Sequence, residues 1–253
     1  MEEFYALELI KKGRRIDGRK FDQFRNIEIK EGIIKKAEGS ATVKIGETEV
    51  TAGVKMKFGE PFSDTPEEGT LLVNTEFSPV ASPDFELGPP GEDAIELARI
   101  VDRGIRESHA IELNKLCIEP GKRVWSVFVD IHMINHQGNL LGAASLASLV
   151  ALLNTKIPKL EGDNILREEF ERPLPIVFKP INITVGRVGD TLILDPNFEE
   201  EKILDAKLSI AVRDDDKICA LQKQGNKELT VETIEKMVDI AIEKSKEIRQ
   251  LIK

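Results

Sequence analysis

Residues 141–153, LGAASLASLVALL, contain no charged residue and present no polar face. A helix that is apolar almost all round has to be buried on every side, so the rest of the chain must supply an interior to receive it. Much of what precedes it reads as sheet. In ATVKIGETEVTAGVKMKF two runs rich in β-branched residues flank Gly46-Glu47 and predict a hairpin, TLLVNTEF predicts a further strand, and VWSVFVDIHMI a mostly buried one. Residues 1–12 predict a short amphipathic helix, followed by a charged arm that leads into a strand at Ile27–Ile29. GEPFSDTPEEG reads as a polar loop and a candidate pore loop, and the four prolines of SPVASPDFELGPPG exclude regular structure over that stretch.

Between the prolines and the strand, residues 92–108 place Ala94, Leu97, Ala98, Val101 and Ile105 on one helical stripe, with Arg99, Arg103 and Arg106 on the roughly opposite side. Beyond the apolar helix, Pro158, Gly162 and mixed charges mark a connector. PIVFKPINITVGRVGDTLILDP then predicts two strands around Gly189-Asp190, and KLSIAVRDDDKICALQKQG two more around Asp214–Asp216. A closing helix carries the stripe Ile234, Met237, Val238, Ala241, Ile242 and Ile248. The order predicts an α+β protein of two modules: an N-terminal helix and basic arm (1–30), a first module (31–154), a connector (155–172) and a second module (173–253).

Charge limits what such a chain can bind. A net charge of −9 argues against a free-standing nucleic-acid binder, so any contact with phosphates must be local or shared with a partner. KKGRRIDGRK concentrates six bases in ten residues and reads as either such a local patch or a solvated terminus. Asp195, Glu199, Glu200 and Glu201 read most simply as a solvated acidic turn. Cys117 and Cys219 have no metal-binding spacing, and nothing in the sequence resembles a secretory signal or a membrane span; a cytoplasmic protein is expected. The wealth of Lys and Glu with few amides suits a heat-loving source. His109, His132 and His136 are not set with carboxylates in any metal-ligand pattern, so no metal is expected. With 5% aromatics, Trp125 and the strand phenylalanines read as core, not as base-stacking platforms.

RRIDGRKFDQFR (residues 14–25) and GSATVKIGETEVTAGV (residues 39–54) resemble the opening signatures of the RNase PH family. KLCIEPGKRVWSVFVDIHMINHQGN (115–139) and ILDPNFEEEKILDAKLSIAV (193–212) are most similar to the non-catalytic RNase PH-like subunits of the archaeal exosome. The resemblance covers nearly the whole chain. It implies two tandem RNase PH-type modules with mixed sheets and packed helices. It also implies a hexameric ring in which three copies alternate with three copies of a catalytic paralogue, RNA-binding cap subunits, and single-stranded RNA as the ligand. Such rings shorten RNA from its 3′ end with phosphate, or run backwards to add a tail; no cofactor is implied for this chain.

Active members of the family carry Gly-Thr-Arg-Thr where this chain has Gly138, Asn139, Leu140 and Leu141. A phosphate dianion needs a fork of charged donors and hydroxyls, which leucine does not supply. A helix N-terminus alone contributes about 0.3–1 kcal/mol, too little for a catalytic site. The small residues Gly142, Ala143 and Ala144 then serve close packing of a buried helix. Aligning Leu194-Asp195 with the family's strand end puts Glu201 at one family acid and Lys207 at the other. Lysine reverses the sign where a leaving oxygen needs a proton or a metal must be held. Asp205, two residues away, is a candidate to compensate.

The resemblance also implies that arginines of the helix at 92–108 face RNA, most strongly Arg103 and Arg106, then Arg99. Glu96 with Arg99 and Asp102 with Arg106 offer a competing reading as intrahelical pairs. The leading expectation is a non-catalytic, RNA-binding ring subunit. The alternatives are an active phosphorolytic exonuclease using Asp205, and a small-molecule kinase with GNLLGAAS as nucleotide loop, which lacks the lysine and glycine density of such loops.

Overall fold

The computed structural model describes residues 2–252. Helix α1 (Glu2–Lys11) and the arm after it lead into β1 (Ile27–Glu31), the hairpin β2 (Gly39–Ile45) and β3 (Thr48–Gly59), and β4 (Thr70–Glu76). Helix α2 (Glu92–Glu107), a 3-10 turn at Leu113–Leu116, β5 (Cys117–Glu119), β6 (Arg123–Asn135) and α3 (Leu140–Leu153) complete the first module. These strands form one mixed sheet in the order β1-β2-β3-β6-β4, with β5 on the start of β6. Only β4 runs parallel to its neighbour.

The second module is a four-stranded antiparallel sheet, β10 (Thr191–Leu194), β9 (Ile181–Val188), β11 (Ala206–Val212) and β12 (Ile218–Gln224), with α4 (Phe198–Glu201) and α5 (Val231–Arg249). Between the modules lie β7 (Lys156–Glu161) and β8 (Asn164–Pro173), so the segment 155–172 read as a connector is a regular hairpin. Pro158, which argued against a strand, sits where the pairing register shifts and its missing N–H disturbs the ladder least. Arg167 on β8 fastens the hairpin to the first module through a 2.6 Å bond to the buried Glu38 carboxylate.

Helix α3 is the hub. Residues 140–144 and 146–152 are buried, and the helix packs against β2 and β3 of the first sheet and β9 of the second. One apolar cluster therefore runs through both modules, from Val43, Val54 and Val129 to Val185, Ile210 and Met237. Each large side chain buried on α3 contributes about 1.5–3 kcal/mol. Helix α2 buries Ala94, Leu97, Val101 and Ile105 of the expected stripe together with Ile100 and Gly104, leaving Ala98 half-buried, and α5 buries Met237, Ala241 and Ile248. Trp125 is buried as core.

The acidic stretch departs from its reading as a solvated turn: Asp195 and Glu200 are both 0% exposed, and α4 was not foreseen. The basic arm supplies the reason. Arg15, 3% exposed, donates from Nε to Glu200 at 2.8 Å and from Nη1 to the Leu194 carbonyl at 2.9 Å. The run of bases is thus, in part, the buried counter-charge of the run of acids.

Candidate functional site

The N-terminus of α3, where the resemblance puts the phosphate loop of active members, is closed by the chain's own groups. Gly138 has φ +89°, and a side chain there would collide with the main chain of residues 196–198. Its carbonyl accepts from Thr48 Oγ1 at 2.6 Å and from Arg25 Nη2 at 3.1 Å. Asn139 is the helix cap in the left-handed conformation, one that asparagine tolerates better than most residues. Its Oδ1 accepts from the Gly142 N–H at 3.2 Å, and its Nδ2 donates to Asp195 Oδ1 at 2.8 Å. Gly142 is small for the sake of this cap, because a β-carbon there would lie 2.7 Å from Asn139 Nδ2; close packing is left to Ala143 and Ala144.

The Asn139 N–H points at an anion, and that anion is Glu201, whose Oε1 lies 3.2 Å away and 3.4 Å from Lys207 Nζ. A carboxylate of the chain thus stands where a helix N-terminus would otherwise attract phosphate. Leu140 and Leu141, 9% and 8% exposed, line the adjoining cleft of about 250 Å3 with Phe77, Phe85 and His136. His136 stacks on Phe85 and meets the edge of Phe198. Burial lowers its pKa, only partly opposed by the charge of Glu201, so the imidazole is held neutral.

Behind the cap, Asp195 accepts from Arg25 (Nε at 2.9 Å, Nη2 at 2.7 Å, and the main-chain N–H at 2.9 Å), from Arg19 at 3.0 Å and from Asn139. Burial pushes this carboxyl up, but the Arg25 bonds and charge outweigh it, and the net shift is downward. Asp195 itself has φ +48°, a conformation held in place by these partners. Sequence reasoning missed the role of Arg15, Arg25, Asp195 and Glu200. The available signal was the pairing of a basic and an acidic run in a chain with no other reason to concentrate either.

The remaining acid candidate does not reach this cleft. Asp205 accepts from the Gly189 N–H at 2.8 Å and pairs with Lys227, so it pins the β9-β10 turn, and Lys207 faces Glu201 alone. Among the described residues no group of three His, Cys, Asp or Glu could hold a metal ion, and His132 meets only Glu76. No described helix is long and apolar enough to cross a membrane.

On α2 the arginines divide. Arg106 grips Asp102 with Nε at 3.0 Å and Nη2 at 2.8 Å, and donates to the Leu71 carbonyl at 3.0 Å; the Asp102 hydrogen bonds raise its pKa. Arg99 and Arg103 are exposed, and neither forms an ion pair among the described residues; the alternative Glu96–Arg99 pair does not form. Both line a cleft of about 460 Å3 toward the second sheet and another of about 410 Å3 toward β4. Two open guanidiniums one helical turn apart can meet successive phosphates of one strand.

Comparison with known proteins places this geometry. Residues 23–158 match domain 1 of the 3′ exoribonuclease family, RNase PH, and residues 180–244 match domain 2. The chain is 48% identical over 251 residues to exosome complex component Rrp42 of Thermococcus gammatolerans, with 97% of this chain and 92% of the relative covered. It is 49% identical over 240 residues to the protein of that name in Methanothermobacter thermautotrophicus, covering 94% and 89%. Among solved structures it is similar to a chain of the Archaeoglobus fulgidus exosome with RNA bound to the active site, at TM-score 0.94 and 46% identity, covering 100% of this chain and 98% of that one. A chain of an archaeal exosome core gives TM-score 0.90 and 42% identity, covering 99% and 96%.

Proposed function

The chain belongs to the 3′ exoribonuclease family, carrying both of its domains, and on that premise we propose that it is a non-catalytic, RNA-binding subunit of an exosome ring. Its relatives bear the name of an exosome component, and two solved structures it resembles are an exosome with RNA bound to the active site and an archaeal exosome core. In this role it alternates with a catalytic paralogue in a trimer of heterodimers, supports RNA-binding caps, and holds the backbone of single-stranded RNA near the neighbour's active site.

The observation that carries the reading is the Glu201 carboxylate on the Asn139 N–H beside Leu140. A phosphate brought there meets a like charge and two aliphatic side chains, with one lysine already engaged. Phosphorolysis by this chain through Asp205, or a kinase using residues 138–145 as a nucleotide loop, meets the same obstacle. Arg99 and Arg103 are the groups offered to RNA, while Arg106 is bound to Asp102 and Leu71 and serves mainly to hold α2 against β4. Sharing the RNA with a partner reconciles phosphate binding with a net charge of −9.

The test is phosphate-dependent shortening of a labelled RNA by this chain alone, by its catalytic paralogue alone and by the mixture. The expected result is no release of nucleoside diphosphates by this chain and full activity only with the paralogue. Robust release by this chain alone overturns the proposal.

A further inference from the structure

The cleft between α2 and the second sheet has a composition that backbone binding does not require. Its arginine end, Arg99 and Arg103, suits a phosphate, and Glu92 and Glu96 at the other end repel one. Between them the walls are apolar, formed by Ile95, 48% exposed, with Ile100 and Ala220, and two amides, Asn182 and Gln222, line the sheet side. Asn182 pairs with Ala211 across β9 and β11, and Gln222 with Ser209 across β12 and β11, which sets the two amides on either side of β11 and on the same face. The Asn182 Oδ1 atom is buried and has no hydrogen-bond partner among the described residues. A buried acceptor left open inside a cleft calls for a donor from a ligand.

We propose that this cleft is a nucleobase subsite that takes adenine. The inference rests on the RNA-binding reading above and deepens it. The volume, about 460 Å3, accommodates a nucleotide. Ile95, Ile100 and Ala220 supply apolar surface for the faces of the ring, while a carboxamide presents a donor and an acceptor side by side, the pattern that matches N7 and the N6 amino group of adenine. Arg103 then meets the phosphate of the same nucleotide. Base contact at a site walled by side chains of one chain gives that chain a say in which RNA is held, beyond the sequence-independent grip of its arginines.

The experiment uses the ring assembled with the catalytic paralogue in phosphate-free buffer, with binding of labelled oligo(A) and oligo(U) followed by fluorescence anisotropy. The expected result is a preference for oligo(A) of about tenfold, the low end of what a bidentate amide contact supplies. Asn182→Leu and Gln222→Leu should each reduce that preference while leaving oligo(U) affinity and the melting temperature unchanged. Competition with adenosine monophosphate separates the two sources of the base: displacement only at millimolar levels marks a residue of RNA, and displacement at micromolar levels marks a free nucleotide in the same subsite. Equal binding of the two oligomers by the unsubstituted ring, or a preference that survives both substitutions, overturns the proposal. Failure of the arginine reading is distinct, since there Arg103→Ala would leave both affinities unchanged.

Discussion

The N-terminus of α3 and the outer side of α2 border adjoining clefts that share Glu96 and Ile100 as a common wall, yet they treat charge in opposite ways. At α3 each charged group has an internal partner: Glu201 has Asn139 and Lys207, Asp195 has Arg19 and Arg25, and Glu200 has Arg15. On α2 the guanidiniums of Arg99 and Arg103 stand exposed, with no ion pair among the described residues. A site whose charges are mutually satisfied is architecture, whereas one that keeps cations unpaired at the rim of a cleft is open to an anion from outside. The proposed loss of one function and retention of another rests on this difference in where the chain's own counter-ions go.

The comparison breaks most forcefully at Asp195. Asp195→Ala leaves two arginines without their counter-charge at a largely buried position and should destabilise the protein by about 3–5 kcal/mol in urea unfolding. The pH dependence follows. The folded-state pKa of Asp195 lies below that of the unfolded chain, so its stabilisation is complete above about pH 4 and is lost as pH falls through the folded value. His136, also lowered, acts earlier: the unfolded chain binds its proton more readily, so stability declines as pH drops below about 6.5. His136→Phe should flatten that first limb and leave the second, as read by melting temperature across pH 3–8.

Next in size, Arg99→Ala with Arg103→Ala should weaken RNA retention by the ring about ten- to hundredfold and make the salt dependence shallower, with the ring itself intact by light scattering. An unchanged salt slope would remove the contrast between the two regions. A gain of function probes the other side: Leu140→Arg with Glu201→Gln should let phosphate raise the melting temperature, equivalent to about 1.4 kcal/mol at ten times its dissociation constant, whereas the unsubstituted chain shows no phosphate effect. The smallest effect belongs to Arg106→Ala. Its pair with Asp102 is partly exposed, so stability should fall by no more than about 1 kcal/mol and RNA affinity should barely move.

Periodicity and turn chemistry made most of the fold legible: the hairpin at Gly46-Glu47, the stripes of α2 and α5, and the all-apolar α3 are local patterns. What stayed hidden depends on partners distant in sequence. Arg15 and Glu200 are separated by 185 positions, and nothing local tells that two solvated-looking runs neutralise each other in the interior. Leu140 and Lys207 carried the expectation of a disabled site by their residue types alone. That Glu201 would occupy the anion position, and that Arg106 rather than Arg99 would be held by an acid, required geometry. The β7-β8 hairpin was missed because Pro158 was weighed as a breaker without knowledge that the ladder shifts beside it.

The arm of residues 14–25 holds the second module largely by charge, helped by Phe21, which packs beside Val188 and Ile193 and accepts from the Leu194 N–H at 2.8 Å, and this bears on how the protein can be handled at the bench. A shortened version starting at residue 26 would still contain the apolar hub and both sheets, but its two most deeply sequestered acids would lack every arginine that now meets them. Such a fragment should precipitate or require acid to stay compact. Fusion partners and affinity handles belong ahead of α1 or after α5.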